Sequence, residues 1–210
     1  MSTSTSARFA SYAELFIGVF GLFGNVNMLI AVARKKKLRS KCYLLMALIA
    51  FYDTIAIGFE YFQALVFILE VPITTRQCFQ TIFMFVFTLN MQIFTVLSVA
   101  FDRLLAVTFP TRYRMIADKT WILVTLAPGL VANAIFLPWA YITTNDFPVN
   151  GCNPPSSLPD DVAFWWSKMA VATNIAVVVI YIVVIQAIRI RGIWTTEPTV
   201  RLGTPLKERN

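Results

Sequence analysis

The 210-residue chain contains no histidine and only three cysteines. Without imidazole there is no histidine-based catalytic centre, and so few thiols argue against a zinc site. Charge is scarce as well: 14% of residues are charged, where soluble domains carry about 25%. The opening MSTSTSARFASYAE lacks the charged-then-apolar layout of a cleavable signal peptide, so the first apolar run is read as an uncleaved anchor. There is no internal repeat, no low-complexity tract and no stretch that reads as a soluble domain. No nucleophile, base and oxyanion donors fall together, so no enzyme and no cofactor are expected.

What the chain has in surplus is hydrocarbon. Hydrophobic residues make up 58% of it and the mean hydropathy is +0.67. A globular core does not need that excess, whereas a bilayer does. A spanning helix takes roughly 20 mainly apolar residues, and five stretches qualify: 15–33, 43–69, 79–101, 121–142 and 169–188. The connections between them, such as RKKKLRSK and TTNDFPVNGCNPPSSLPDD, are rich in charge, Pro, Asn and Ser, as loops are. The alternative, buried helices of a soluble core, fits five runs of that length poorly. The expected fold is all-α, a polytopic transmembrane helix bundle.

The net charge of +7 would suit nucleic acid if the basic residues were spread over one surface. They are not. Fifteen lysines and arginines lie in the first and third connections and after the fifth span, against Arg8, Arg76 and Lys168 on the other side. The positive-inside rule then places the N-terminus outside and the C-terminus in the cytoplasm of a multi-pass protein, with the plasma membrane as the expected site. The basic excess is topogenic, the partner is a lipid bilayer, and nucleic acid is not expected. Tyr43, Trp121, Trp139, Tyr141, Trp165 and Trp166 fall near the span ends, as interfacial aromatics do.

Asn25, Asp53, Glu60, Asn90 and Gln92 lie within the spans. Polar groups there are costly and face the protein interior or a water-filled cavity; the plainer reading is hydrogen bonding between helices. Asp53, at mid-span, needs a proton, a cation or polar neighbours. Arg103 ends its span, where its guanidinium can snorkel and Asp102 can partly neutralise it. As interfacial anchors the pair would need no further explanation.

Four markers in register change that weighing. GNVNMLI holds Gly24 and Asn25, LIAFYD ends at Asp53, Cys78 opens the third span, and DRLLAVTFP closes it. Asn25 to Asp53 is 28 positions, Cys78 to Arg103 is 25, and Arg103 to Pro110 is 7. Together they resemble the rhodopsin-like (class A) G-protein-coupled receptors. KKKLRSK and FDRLLAVTFPTRYR resemble more narrowly the nematode serpentine chemoreceptors of the srsx class. The resemblance covers all five spans and implies a chemosensory receptor with a small-molecule or peptide ligand and a heterotrimeric G protein as partner.

By that resemblance Asp102 is the restraining acid, Arg103 the coupling residue, and Pro110 the start of the second cytoplasmic loop. Leu104 stands where the family usually has tyrosine. Asn25, Asp53 and Gln92 form a structural polar core, with Asp53 as a sodium ligand. Cys78 and Cys152 lie on the oxidising side, where a disulfide can persist, and the family joins these positions; two unpaired thiols are the alternative. Met84, Phe85 and Thr88 would line the ligand pocket. Phe85 occupies the place of the amine-binding aspartate of monoamine receptors, and Phe83 and Phe87 are near it. The wall therefore reads as apolar and the ligand as something other than a simple cationic amine. Cys42, at the cytoplasmic edge, reads as a free thiol, with S-acylation as an alternative.

The same resemblance implies seven helices where five are found. Residues 1–192 then form an incomplete receptor domain, truncated after the fifth helix, and 193–210 a disordered cytoplasmic tail. Span four departs from the family, with Trp121 near its start, and Pro128, Gly129 and Pro138 predict a bend. The expected function is G-protein-coupled chemoreception, impaired by the loss of helices six and seven. The alternatives are a non-signalling partner that heteromerises with full-length receptors, and a small transporter or channel subunit using Asp53 and Glu60.

Overall fold

In hydrocarbon a backbone must satisfy its own N–H and C=O groups, so apolar runs of this length become helices. The computed structural model describes residues 2–35, 40–149 and 151–195. In chain order its elements are α1 (Ser2–Arg34), α2 (Lys41–Ile68), β1 (Ile73–Thr74), α3 (Thr75–Thr108), α4 (Pro110–Met115), α5 (Asp118–Thr143), β2 (Pro148–Val149), α6 (Pro154–Ser157) and α7 (Asp160–Thr195). Five of them, α1, α2, α3, α5 and α7, are long and apolar enough to cross a membrane. The protein is a multi-pass transmembrane helix bundle.

α3 is the axis of that bundle. Half of its most apolar stretch is buried, against 28% or less for each of the other four. The outward faces are the apolar ones. On α7, Val171, Ile175, Val178, Ile182 and Ile185 recur every three or four residues and all are exposed, a stripe that acyl chains solvate and water would not.

Small residues set how closely the helices approach. On α5 the buried Trp121, Thr125, Gly129, Ala132 and Ala140 form one face toward α3. At Gly129 an added Cβ would lie 2.9 Å from Met91 Sδ and 3.3 Å from its Cα. On α1, Gly18 sits directly against the Tyr61 ring of α2, whose hydroxyl donates to the Leu15 carbonyl at 3.0 Å.

At one end of the bundle, Thr74 and Gln77 cap α3 reciprocally. β1 pairs antiparallel with β2, and Cys78 and Cys152 form a disulfide with Cα atoms 5.4 Å apart. The sulfurs sit in a core with Val66, Ile82 and Phe85. Gly151, at φ 102°, makes the turn beside them, a conformation that L side chains avoid. At the other end α3 stops at Thr108. Phe109 leaves the helical region (φ −131°, ψ 63°), as the residue before a proline tends to, and Pro110 restarts the chain as the first residue of α4.

Several expectations are corrected here. α3 continues to Thr108, so Asp102 and Arg103 lie one to two turns inside a helix and not at its tip. α7 begins at Asp160, nine residues ahead of the expected span, since nothing before Met169 breaks a helix. The two connections read as plain loops contain α4 and the β2–α6 segment. Trp121 and Trp166 pack inward and are not interfacial belts. Pro128 and Pro138 both lie inside the single helix α5, where the bend expected of them does not interrupt the span. Residues 193–195, assigned above to the tail, are helical; the remainder of that tail, 196–210, lies outside the described residues, as do Lys36, Lys37 and Arg39 of the first connection.

Candidate functional site

The acid and base of the SVAFDRLLAVTFPTRY stretch take different partners. Asp102, only 1% exposed, accepts a hydrogen bond from the Tyr113 hydroxyl at 2.7 Å. Arg103, on the exposed side of α3, donates through Nη2 to the Cys42 sulfur at 2.7 Å. Among the described residues the two make no ion pair with each other. The Phe109–Pro110 break makes this possible, because it turns α4 back so that Tyr113 meets a residue eleven positions earlier.

Lys41 secures the turned-back segment. It is 7% exposed, and its ammonium donates to the Tyr113 carbonyl at 2.8 Å. It also lies 4.6 Å above the Tyr113 ring centroid and 3.9 Å from Asp118 Oδ1. The Tyr113 ring meets Trp121 edge-on at 6.2 Å. Burial first, and then the hydrogen bond and negative charge of Asp102, hold the Tyr113 phenol well above its ordinary pKa, so the hydroxyl remains a donor throughout the neutral range.

A second polar layer lies deeper. Gln92 donates to Asp53 Oδ1 at 2.6 Å, joining α3 to α2. Asn25, the third expected member, is half-buried and hydrogen-bonds neither of them. The side chain brought to the Asp53 carboxylate, expected above as a sodium ligand, is thus the Gln92 amide. Asn90, for which hydrogen bonding between helices was the plainer reading above, forms a separate clasp with partners the sequence did not name. Asn90, wholly buried, donates to Asn133 Oδ1 at 2.9 Å and accepts from Trp166 Nε1 at 2.7 Å, while Asn133 donates to the Phe87 carbonyl at 3.2 Å. One amide pair thus ties α3, α5 and α7 together.

Toward the disulfide end a cavity of about 520 Å³ opens between α1, α2 and α3. Glu14 comes from α1, Glu60, Gln63 and Phe67 from α2, and Phe85 and Leu89 from α3, with residues 151–154 over the opening. Of the three residues expected in a ligand pocket, only Phe85 lines it. Met84 is 42% exposed on the outside of α3, and Thr88 is buried with its hydroxyl donated to the Phe85 carbonyl at 2.8 Å. The expected apolar wall is therefore half of the picture. Charge enters from α1 and α2, which the focus on position 85 passed over.

The sequence of helices and polar groups has a counterpart among known proteins. A family model described as serpentine type 7TM GPCR chemoreceptor Srsx matches residues 18–196. The chain belongs to this family. No curated protein matches it significantly. The Srsx match begins within α1 and takes in the other four spans, so the arginine cluster and the disulfide lie inside it, whereas Glu14 of the cavity precedes it. It is a receptor family and not an enzyme family.

The members that sequence reasoning missed share a cause. Tyr113, Asn133 and Trp166 act through contacts between helices, which no spacing within one helix reveals. Glu14 was left out because the first apolar run was started at residue 15; α1 includes it.

Proposed function

We propose that this Srsx chain is a chemosensory receptor whose disulfide end faces outward and receives a ligand, and whose arginine end couples to a heterotrimeric G protein in the cytoplasm. The observation that carries the reading is the separation of two equipped ends on one central helix. Phe85 of α3 lines the cavity, and about five turns further on Arg103 lies exposed beside α4. Helix α4 adds Arg112 and Arg114 to that face, and the basic residues flanking the spans favour the same orientation. In this reading Asp102 is restrained by Tyr113, which leaves Arg103 turned to the thiol of Cys42 and able to swing toward a docked transducer.

The test is guanine-nucleotide exchange on a G protein reconstituted with the full chain in lipid vesicles. Arg103→Ala is expected to lower ligand-independent exchange to the rate of the G protein alone, with membrane insertion unchanged. Equal exchange by Arg103→Ala and the wild type overturns the coupling role. Exchange no faster than the transducer alone in the wild type itself overturns the signalling part of the proposal.

A further inference from the structure

Among the described residues, the basic side chains near the disulfide end are committed elsewhere. Arg8 pairs with Glu70. Arg76 lies 3.1 Å from Asp146 and donates to the Thr144 carbonyl at 3.0 Å. Lys168 sits 4.0 Å over the Phe164 ring and 5.4 Å from that of Trp165. Glu14 and Glu60, by contrast, face the 520 Å³ cavity with no hydrogen-bond or ion-pair partner among the described residues. The two line the same cavity from adjacent helices, Glu14 from α1 and Glu60 from α2. Both also line the adjoining groove between α1 and α2, so the pair is reached from two sides.

Glu60 is half-buried in an apolar helix and lacks a counterion, which a positive charge would relieve, and the exposed Glu14 adds a second negative charge to the same cavity. The remaining lining fixes what kind. Phe67, Phe85 and Leu89 present an apolar and aromatic wall, to which the ring faces add attraction for a cation. Gln63 brings an amide nitrogen that is buried and without a partner, a donor available to a ligand oxygen. No third carboxylate, thiol or imidazole joins the two among the described residues. The volume lies within the ~300–1,000 Å³ of small-molecule sites, far more than a bare ion needs.

We infer that the cavity between α1, α2 and α3 is a binding site for a small organic cation, an ammonium group carried on an apolar or aromatic body, with Glu14 and Glu60 as its counter-charges. The inference rests on the receptor reading only in taking this cavity as the stimulus site. The charge is read by α1 and α2 and not by the third helix, whose Phe85 serves the ligand's apolar part, so this inference replaces the expectation of a non-amine ligand, which weighed position 85 alone.

A matched pair of probes tests it: 2-phenylethylammonium and 2-phenylethanol, titrated against the full chain in lipid nanodiscs by saturation-transfer NMR. The wild type is expected to bind the ammonium at least tenfold more tightly than the alcohol. Glu60→Gln and Glu14→Gln should each reduce that preference at least fivefold, while Asp161→Asn, at the exposed start of α7, leaves it intact. No binding of the ammonium, equal binding of the two probes, or a preference that survives the double glutamine variant overturns the inference. If a variant fails to fold, the comparison of the two probes on the wild type decides alone. Binding is read without any G protein, so its failure and the failure of nucleotide exchange are separate results.

Discussion

Tyr113 lies at the centre of the arginine end: its hydroxyl holds the buried Asp102 carboxylate, and its carbonyl and ring are held by Lys41. A hydrogen bond to a charged group contributes about 1.5–3 kcal/mol, and here the alternative is a buried carboxylate without a donor. Tyr113→Phe is therefore expected to destabilise the chain by about 1–3 kcal/mol, measured by thermal unfolding in detergent micelles. An unchanged midpoint would show that Asp102 finds another donor. The pH sign follows from the raised phenol. A group whose folded pKa lies above its ordinary value, about 10 for tyrosine, stabilises fully below that value and loses the contribution as pH climbs through the folded one. The bond thus persists through neutral and mildly alkaline solution.

The same residue marks a limit of sequence reading. Asp102 and Arg103 were legible because they adjoin at the end of an apolar run. Their partners were not, because nothing in the spacing reveals that Phe109 leaves the helix and returns α4 toward Lys41 and Cys42. Where an ion pair between the two was expected, the structure shows two separate contacts, one from Asp102 to Tyr113 and one from Arg103 to Cys42.

Among the helices the decisive device is the Asn90 clasp. Each partner it satisfies, the Asn133 amide of α5 and the Trp166 indole of α7, would be stranded in an apolar interior if Asn90 were lost. Hydrogen bonds between membrane helices average only about 0.6 kcal/mol, but stranding a buried polar group costs about 1–3 kcal/mol. Asn90→Leu is expected to fall in the latter range by equilibrium unfolding, with α7 the first helix to lose protection from hydrogen exchange. Uniform loss of protection across α3, α5 and α7 would count against a clasp. The helices themselves were plain from runs of about twenty apolar residues. Their true ends were not, since capping by Thr74 and Gln77 and continuation of α3 past two charges depend on local hydrogen bonds that hydropathy does not weigh.

Across the whole molecule, the Cys78–Cys152 bond spans 74 positions and fixes the α5–α7 connection above the cavity. Closing a loop of that size contributes about 2–4 kcal/mol through the unfolded chain. Cys152→Ser is expected to lose that much stability, and added reductant should then make no further difference. If reductant shifts the wild type no more than it shifts Cys152→Ser, the bond is not formed in the protein under study. Bundle, span number and disulfide positions could be read ahead of the fold. The cavity's charge could not, because it depends on α1 and α2 being pressed together at Gly18 and Gly21, which brings Glu14 beside Glu60.

One arrangement gives the protein a gauge of its own. With two of its three cysteines bridged, the chain has a single alkylatable sulfur, and Arg103 rests directly upon it. An excursion of that guanidinium removes one of the groups that cover the sulfur, so a change in the speed at which a maleimide reaches Cys42 reports on the arginine's position, with no label engineered into the chain.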